Sequence, residues 1–151
     1  MIDKPVVICE IGANHKGSFD IASKMIEIAS TQCDVDVIKF QKRDLEEVFS
    51  KPANSLPHPN PINAYGETYA KHREALEFSI DEHRELKKIC EKYNKIYSSS
   101  VWDIKSAKEI ISLDPSLIKI PSAMNLNFPL LEYVCKHFNG EIHVSLGMTL
   151  E

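Results

Sequence analysis

Five short apolar segments alternate with helix-period segments, and this alternation constrains the fold more than any other feature of the chain. The short segments are rich in β-branched residues and have strand length, and they span residues 6–10, 37–41, 96–100, 117–121 and 142–146. The helix-period segments span residues 19–32, 80–93, 104–113 and 129–137. Because neighbouring parallel strands need a helical crossover, the pattern predicts an α/β domain with a parallel sheet.

Local signals support these helix boundaries. Ser79 and Glu82 form a capping-box pattern, Asp103 is placed to cap the next helix, and Pro129 suits a first helical turn. Residues 42–65 hold four of the eight prolines and have no clear period. We therefore predict a long loop there, followed by a helix over residues 67–77.

Two parallel-sheet architectures compete. A doubly wound open sheet suits a chain of 151 residues. A (β/α)8 barrel needs eight strands and typically about 250 residues. Length alone therefore favours the open sheet.

Composition excludes several classes of function. The chain has 22 acidic and 18 basic side chains and a formal net charge of −4, which argues against a nucleic-acid or anionic-membrane surface. No apolar run approaches the roughly 18 residues of a membrane span, and the first residues lack the pattern of a secretory signal. The four cysteines form no C-x-x-C pair, so no zinc knuckle is predicted. We expect a cytoplasmic location.

Polar side chains occur at or near the carboxyl end of every predicted strand, although strands covered on both faces normally read as hydrophobic runs. They are Glu10, Lys39, Gln41, Ser99, Ser100, Lys119, Ser122, His143 and Ser145. The carboxyl ends of parallel strands share one edge of the sheet. We therefore expect these side chains to converge on one surface, where α/β folds keep their active sites.

Lys39 and Lys119 are the most informative of these residues, because apolar residues flank each of them (VIKF and LIKI). A lysine in such a position must lose its charge or find an anion. An edge strand that exposes the lysine to water is the alternative for either residue alone. Two such lysines on different strands, with serine hydroxyls nearby, favour a site for a carboxylate or a phosphate.

The loop after the first strand reads EIGANHKG, and its glycines are spaced neither as in a dinucleotide fingerprint nor as in a P-loop. Asn14 and His15 could reach the site from this loop, and the alternative for His15 is a turn residue. Of the other histidines, His58 has no partner at the spacing of a metal site. His72 and His83 lie in polar helical stretches and are predicted to be solvated.

Four separated motifs resemble the amino-terminal catalytic part of the sialic acid synthases, the N-acetylneuraminate synthase family. They are CEIGANHKGSFDIASKMIEIA, VIKFQ, EALEFSIDEHRELKKICEK and LIKIPSAMNLNFPLLEYVCKHFNGEIHVSLGM, and they cover nearly the whole chain apart from the proline-rich loop. The resemblance implies a (β/α)8 TIM barrel, truncated here after about five parallel strands, with residues 1–151 as its amino-terminal portion. By this interpretation the chain is a fragment of a longer enzyme and is inactive alone.

The resemblance also implies a reaction. The family condenses phosphoenolpyruvate with an N-acylated mannosamine or a related amino sugar and releases phosphate, so the implied enzyme is a transferase of sialic acid biosynthesis. Lys39 and Lys119 resemble the lysines that hold the phosphate and carboxylate of phosphoenolpyruvate, and Glu10 resembles the acidic residue near the sugar.

Further substrate contacts and partners follow from the same interpretation. Ser100, Ser122 and Ser145 resemble the residues whose hydroxyls contact phosphoenolpyruvate in the family. The remaining predicted substrate contacts are Gln41, Asn14 and His15. A divalent metal, usually manganese in the family, is implied, with its ligands beyond residue 151 and none within this chain. The remainder of the barrel and a second copy in a homodimer are the implied protein partners.

Two motifs depart from the family pattern. Where the family usually reads K-x-x-S-x-E/D, Met124 replaces the carboxylate expected beside the sugar. A thioether cannot accept a proton or orient a hydroxyl strongly, so the sugar differs or the activity is weakened. Where the family usually reads S-T-P-F-D, residues 99–103 read SSVWD.

Two alternative functions stay open at this level. A Schiff-base aldolase could use Lys119 or Lys39, because a desolvated lysine can attack a carbonyl. A non-catalytic anion-binding or assembly module could keep the pocket without the chemistry. The sequence also leaves the sugar open among N-acetylmannosamine, bacillosamine-type derivatives and other nonulosonic acid precursors.

Overall fold

Five parallel strands form one sheet in which the spatial order follows the chain order. The computed structural model describes residues 4–48 and 56–147. The strands are β1 (Ile8–Gly12), β2 (Val37–Lys42), β3 (Ile96–Val101), β4 (Leu117–Ile120) and β5 (Glu141–Val144). A doubly wound sheet reverses its strand order at a switch point, whereas a barrel adds each strand beside the last. The preference for an open sheet that length alone suggested is therefore wrong, and the fold is of the TIM-barrel type.

Six helices connect the strands within the described residues. They are α1 (Phe19–Gln32), α2 (Leu45–Val48), α3 (Tyr69–Glu74), α4 (Ile80–Lys92), α5 (Ile104–Ile111) and α6 (Phe128–His137), with 3₁₀ turns at Pro61–Asn63 and Ser122–Met124. The capping box of Ser79 and Glu82, the Asp103 cap and the early Pro129 are all confirmed. Within residues 4–48 and 56–147, no helix is both long and apolar enough to cross a membrane.

The loop predicted over residues 42–65 is wrong in part. Lys42 belongs to β2, and α2 follows almost at once because a carboxylate oxygen of Asp44 accepts the backbone N–H groups of Glu46 and Glu47. A 3₁₀ turn lies at Pro61–Asn63. Residues 49–55 of the predicted loop, which include Pro52, lie outside the described residues. The helix predicted over 67–77 is shorter and begins after its cap, Thr68.

The hydrophobic core lies between one face of the sheet and the helices. Its strand members include Ile38, Phe40, Tyr97 and Ile118, and its helix members include Ala22, Ile26, Leu86, Ile110 and Leu130. Because side chains alternate along a strand, the residues between these strand members face the opposite side of the sheet. That opposite side is here called the inner face.

The prediction that His72 and His83 are solvated is wrong. His83 is fully buried, with its Nδ1 2.7 Å from the hydroxyl of Tyr97 and its ring edge-on to Phe40 and Phe78. His72 is also buried, and its Nδ1 accepts the backbone N–H of Tyr65 at 3.1 Å. The ring of His83 therefore takes the place of a core aromatic residue, whereas that of His72 lies against the ring of Tyr65.

The burial of His83 makes stability depend on pH. Burial lowers the pKa of His83 from 6.5 to about 3, so between these values the unfolded chain binds a proton that the folded chain excludes. Stability is therefore present above pH 6.5 and is lost as the pH falls toward 3. We expect this residue to cost about 2 kcal/mol of unfolding free energy at pH 5.

Urea unfolding of the wild type and of His83→Gln at pH 7.5 and pH 5 measures this cost. The wild type should lose about 2 kcal/mol more than the variant between the two pH values. The pKa values of His15 and His72 are also lowered by burial, but both residues are present in both proteins. Equal losses in the two proteins would contradict the assignment to His83.

Candidate active site

Polar side chains occupy two neighbouring rows on the inner face. In the first row Glu10 lies beside Lys39, which lies beside Ser98. The second row, one pleat closer to the carboxyl ends of the strands, contains Gln41, Ser100, Lys119 and His143. The predicted convergence of polar residues from separate strands on one surface is thus seen for these side chains.

Glu10 bridges the two lysines. Its carboxylate is bound to the ammonium group of Lys39, and its Oε1 lies 3.8 Å from Nζ of Lys119. The side chain of Lys39 is 2% exposed, that of Lys119 is 26% exposed and that of Glu10 is 58% exposed. Two ammonium groups against one carboxylate leave a formal excess of one positive charge, which favours an anion beside the more accessible Lys119.

Burial and its two neighbours act on Lys39 in opposite directions. Burial lowers the pKa of Lys39, Glu10 raises it, and the second ammonium group on Lys119 lowers it again. The net direction is downward, so Lys39 loses its proton more readily than an exposed lysine. A second negative group on the inner face would favour the charged form of Lys39 again.

The serine hydroxyls of β3 divide between the two faces of the sheet. Ser98 and Ser100 are in register with Lys39 and Lys119 respectively, whereas Ser99 is in register with the core residue Phe40. The expectation that Ser99 joins the polar surface is therefore wrong. Ser98 was missed, although strict alternation from Ser100 would have found it.

Ser122 and Ser145 lie in the loops after β4 and β5, and these loops are joined. The backbone N–H of Ser145 donates to the carbonyl of Ile120 at 3.1 Å, and Nδ2 of Asn125 donates to the carbonyl of Ser145 at 3.1 Å. A Cβ placed on Gly147 would lie 3.3 Å from Oγ of Ser122. Asn125 therefore ties the two hydroxyl-bearing loops together, a role that the sequence alone did not indicate.

Gln41 lies against the end of β1. Gly12 has a φ of 56°, and a Cβ placed on it would lie 2.9 Å from Nε2 of Gln41. Glycine adopts this left-handed backbone without strain and leaves room for the amide of Gln41 to lie close. On its other side, Oε1 of Gln41 accepts a hydrogen bond from the guanidinium of Arg43.

The structure does not bring His15 to the lysines. The ring of His15 is buried, stacks on Phe78 with the centroids 4.1 Å apart, and contacts Phe40 on the helix side of the sheet. Its Nδ1 accepts the N–H of Gly17 at 3.1 Å. Asn14 is exposed and donates to the carbonyl of Ile11 at 3.0 Å. The predicted substrate contacts of both residues remain predictions, and the observed contacts of His15 are those of a core residue.

The two departures from the family motifs have structural partners. Met124 packs against the hydrophobic core, with its sulfur 4.0 Å from Nδ2 of Asn127. The ring of Trp102 lies under the guanidinium of Arg43. Within residues 4–48 and 56–147, no group of three or more His, Cys, Asp or Glu side chains is arranged to hold a metal ion.

Comparison with known proteins places the chain among related enzymes. Residues 25–151 match the NeuB family. The chain is 36% identical over 142 residues to N-acetylneuraminate-9-phosphate synthase of Homo sapiens, covering 94% of this chain and 39% of that protein. It is 32% identical over 145 residues to N,N'-diacetyllegionaminic acid synthase of Campylobacter jejuni, covering 96% of this chain and 43% of that protein. The chain therefore spans about two fifths of the length of these relatives.

A solved structure supports the fold assignment. The crystal structure of N-acetylneuraminic acid synthetase from Leptospira borgpetersenii, in complex with citrate, superposes with a TM-score of 0.77 at 24% identity. The alignment covers 97% of this chain and 46% of that one. At this identity the likeness concerns the fold.

Proposed function

The chain belongs to the NeuB family, and we propose that the protein condenses phosphoenolpyruvate with an N-acylated mannosamine-type amino sugar to form a nonulosonic acid, releasing phosphate. The observation that carries the proposal is the cluster of Lys39, Glu10 and Lys119 on the inner face. The proposal concerns the whole enzyme, of which this chain supplies the anion-binding strands.

The charge of phosphoenolpyruvate suits this cluster. Its carboxylate and phosphate together carry a charge of about −3 near neutral pH. In the reaction, C3 of phosphoenolpyruvate attacks the aldehyde carbon of the sugar and water adds at C2. The bond between C2 and the phosphate oxygen then breaks, and phosphate leaves. Fixed ammonium groups stabilise the charge that develops on the departing phosphate.

The roles of the inner-face residues follow from their exposure. Lys119 is accessible and would contact the phosphate or carboxylate directly, with the hydroxyl of Ser100 beside it in register. Ser122 and Ser145 would donate further hydrogen bonds from the two joined loops. Glu10 would both hold the ammonium of Lys39 and orient a sugar hydroxyl, since its side chain is more than half exposed.

The proposal includes a divalent metal, manganese by resemblance, which would polarise the sugar aldehyde as a Lewis acid. The described residues offer no set of ligands that fits such an ion. By the same resemblance, its ligands are proposed to lie beyond residue 151, and no role of Lys39, Glu10 or Lys119 depends on it.

The direct test measures inorganic phosphate released from phosphoenolpyruvate by the full-length protein with manganese and a panel of N-acylated amino sugars. Release should require the sugar, and mass spectrometry should show a product with a nine-carbon backbone when the sugar has six carbons. Phosphate release at the same rate without sugar would contradict the proposal. Binding of phosphoenolpyruvate in calorimetry, with no turnover on any sugar, would favour a non-catalytic module.

A Schiff-base aldolase is the second candidate, because the pKa of Lys39 is lowered by burial. Against it, the ammonium of Lys39 is bound to Glu10 and its side chain is almost inaccessible. Borohydride reduction in the presence of the sugar or pyruvate, followed by peptide mass spectrometry, separates the two. An adduct on Lys39 or Lys119 would favour the aldolase, and we expect none.

A further inference from the structure

Arg43, the residue after β2, is a buried cation held on three sides. Its Nε lies 2.8 Å from Oε1 of Glu77, and its backbone N–H donates to Oε2 of the same carboxylate at 3.1 Å. Its guanidinium carbon lies 4.2 Å from the ring centroid of Trp102. The side chain of Arg43 is 3% exposed and that of Glu77 is 14% exposed. The indole ring and the ion pair together restrict the orientation of the guanidinium.

The remaining side of this guanidinium meets Gln41. Nη2 of Arg43 donates to Oε1 of Gln41. A guanidinium has donors only, so it can face only the oxygen of the carboxamide, and the amide cannot flip without placing two N–H donors against N–H donors. In this orientation Nε2 of Gln41 lies close to Gly12, 2.9 Å from the position that a Cβ on that glycine would take.

We propose that Arg43 is a positioning residue that locks the carboxamide of Gln41 with its N–H donors toward the substrate, so that the substrate group recognised there is a hydrogen-bond acceptor. This inference rests on the proposed function. Glu77 and Trp102 hold the guanidinium, the guanidinium holds the amide, and Gln41 lies on the inner face beside Ser100.

This arrangement is specific to arginine, although burial disfavours its charge. Burial lowers the pKa of Arg43 and raises that of Glu77, and each partner opposes the shift of the other. A lysine at this position could pair with Glu77 or with Gln41, but its single ammonium cannot reach both, as the separate Nε and Nη2 atoms of the guanidinium do. Arg43→Lys therefore keeps the positive charge beside Glu77 and releases the amide.

A double-mutant cycle on the full-length enzyme tests whether Arg43 acts through Gln41. Arg43→Lys should lower kcat/KM about tenfold in the wild-type background and less than about twofold in a Gln41→Ala background. Arg84→Lys is the matched control, because Arg84 is a partly exposed arginine that pairs with Asp81 within α4 and does not contact Gln41. Equal effects of Arg43→Lys in both backgrounds would overturn the proposal.

A second measurement is independent of turnover. In a ¹⁵N-labelled sample the side-chain NH₂ pair of Gln41, identified by its loss in Gln41→Ala, should be ordered in the wild type and averaged in Arg43→Lys. An equally ordered pair in Arg43→Lys would overturn the positioning role. If the wild type fails to condense phosphoenolpyruvate with any sugar, the proposed function fails while this spectrum still decides the role of Arg43.

Discussion

Replacing Lys119 with methionine is expected to lower phosphate release from phosphoenolpyruvate about a thousandfold while leaving the free energy of unfolding within about 1 kcal/mol of the wild type. The ammonium of Lys119 is the more accessible cation of the inner face, and it is placed to meet the anion directly. Its contact with Glu10 is long, at 3.8 Å, and one quarter of its side chain is exposed, so the contact contributes little to stability. Methionine keeps most of the stem and removes only the charge.

Lys105 supplies the control for a general effect of lost charge. Lys105 is an exposed lysine at the start of α5 and is paired with Asp44, away from the inner face. Lys105→Met should retain turnover within about twofold. Phosphate release from Lys119→Met at a rate near that of the wild type would remove the basis for assigning this lysine to the anion.

The inner face could be predicted from the sequence because charge interrupts hydrophobic strands there. A lysine between apolar neighbours must find an anion, and in the folded chain Lys39 and Lys119 share Glu10. Alternation also assigns Ser98 to this face and Ser99 to the core. The error over Ser99 arose because neighbouring polar residues at the end of a strand were assigned to one surface, although successive side chains on a strand face opposite sides of the sheet.

The burial of His83 could be predicted from the sequence, whereas that of Arg43 could not. His83 shares a helix face with Leu86 and Cys90, and all three are buried, so its burial was open to prediction from helical periodicity. Arg43 is different, since its burial depends on Glu77 and Trp102, which lie far away in sequence. The residues next to Arg43 in the sequence indicate neither of these partners.

Strand order was beyond prediction from periodicity for a related reason. Every βαβ unit has the same local pattern whether the next strand is added beside the last or on the other side of the first. The observed order from β1 to β5, with the core on one side of the sheet, decides for the barrel. Length pointed the other way because it counts residues and carries no information on strand order.

Lys39→Met is expected to separate stability from function. Phosphate release should fall about a thousandfold, because the cluster then loses the cation that holds Glu10 in place. The free energy of unfolding should stay the same or rise by up to about 2 kcal/mol, because an apolar side chain replaces a desolvated ammonium and the carboxylate of Glu10, which loses its partner, is more than half exposed to water. Urea unfolding and the phosphate assay on the same preparations measure both effects.

Lys42 is the matched control for this substitution, three residues further along β2. Its ammonium lies 3.4 Å from Glu109 on the helix side of the sheet, and its side chain is 11% exposed. Lys42→Met removes another largely buried lysine, from the opposite face, so it should keep turnover within a few-fold of the wild type. Loss of turnover in both variants would show that burial of any β2 lysine, and not its place on the inner face, determines activity.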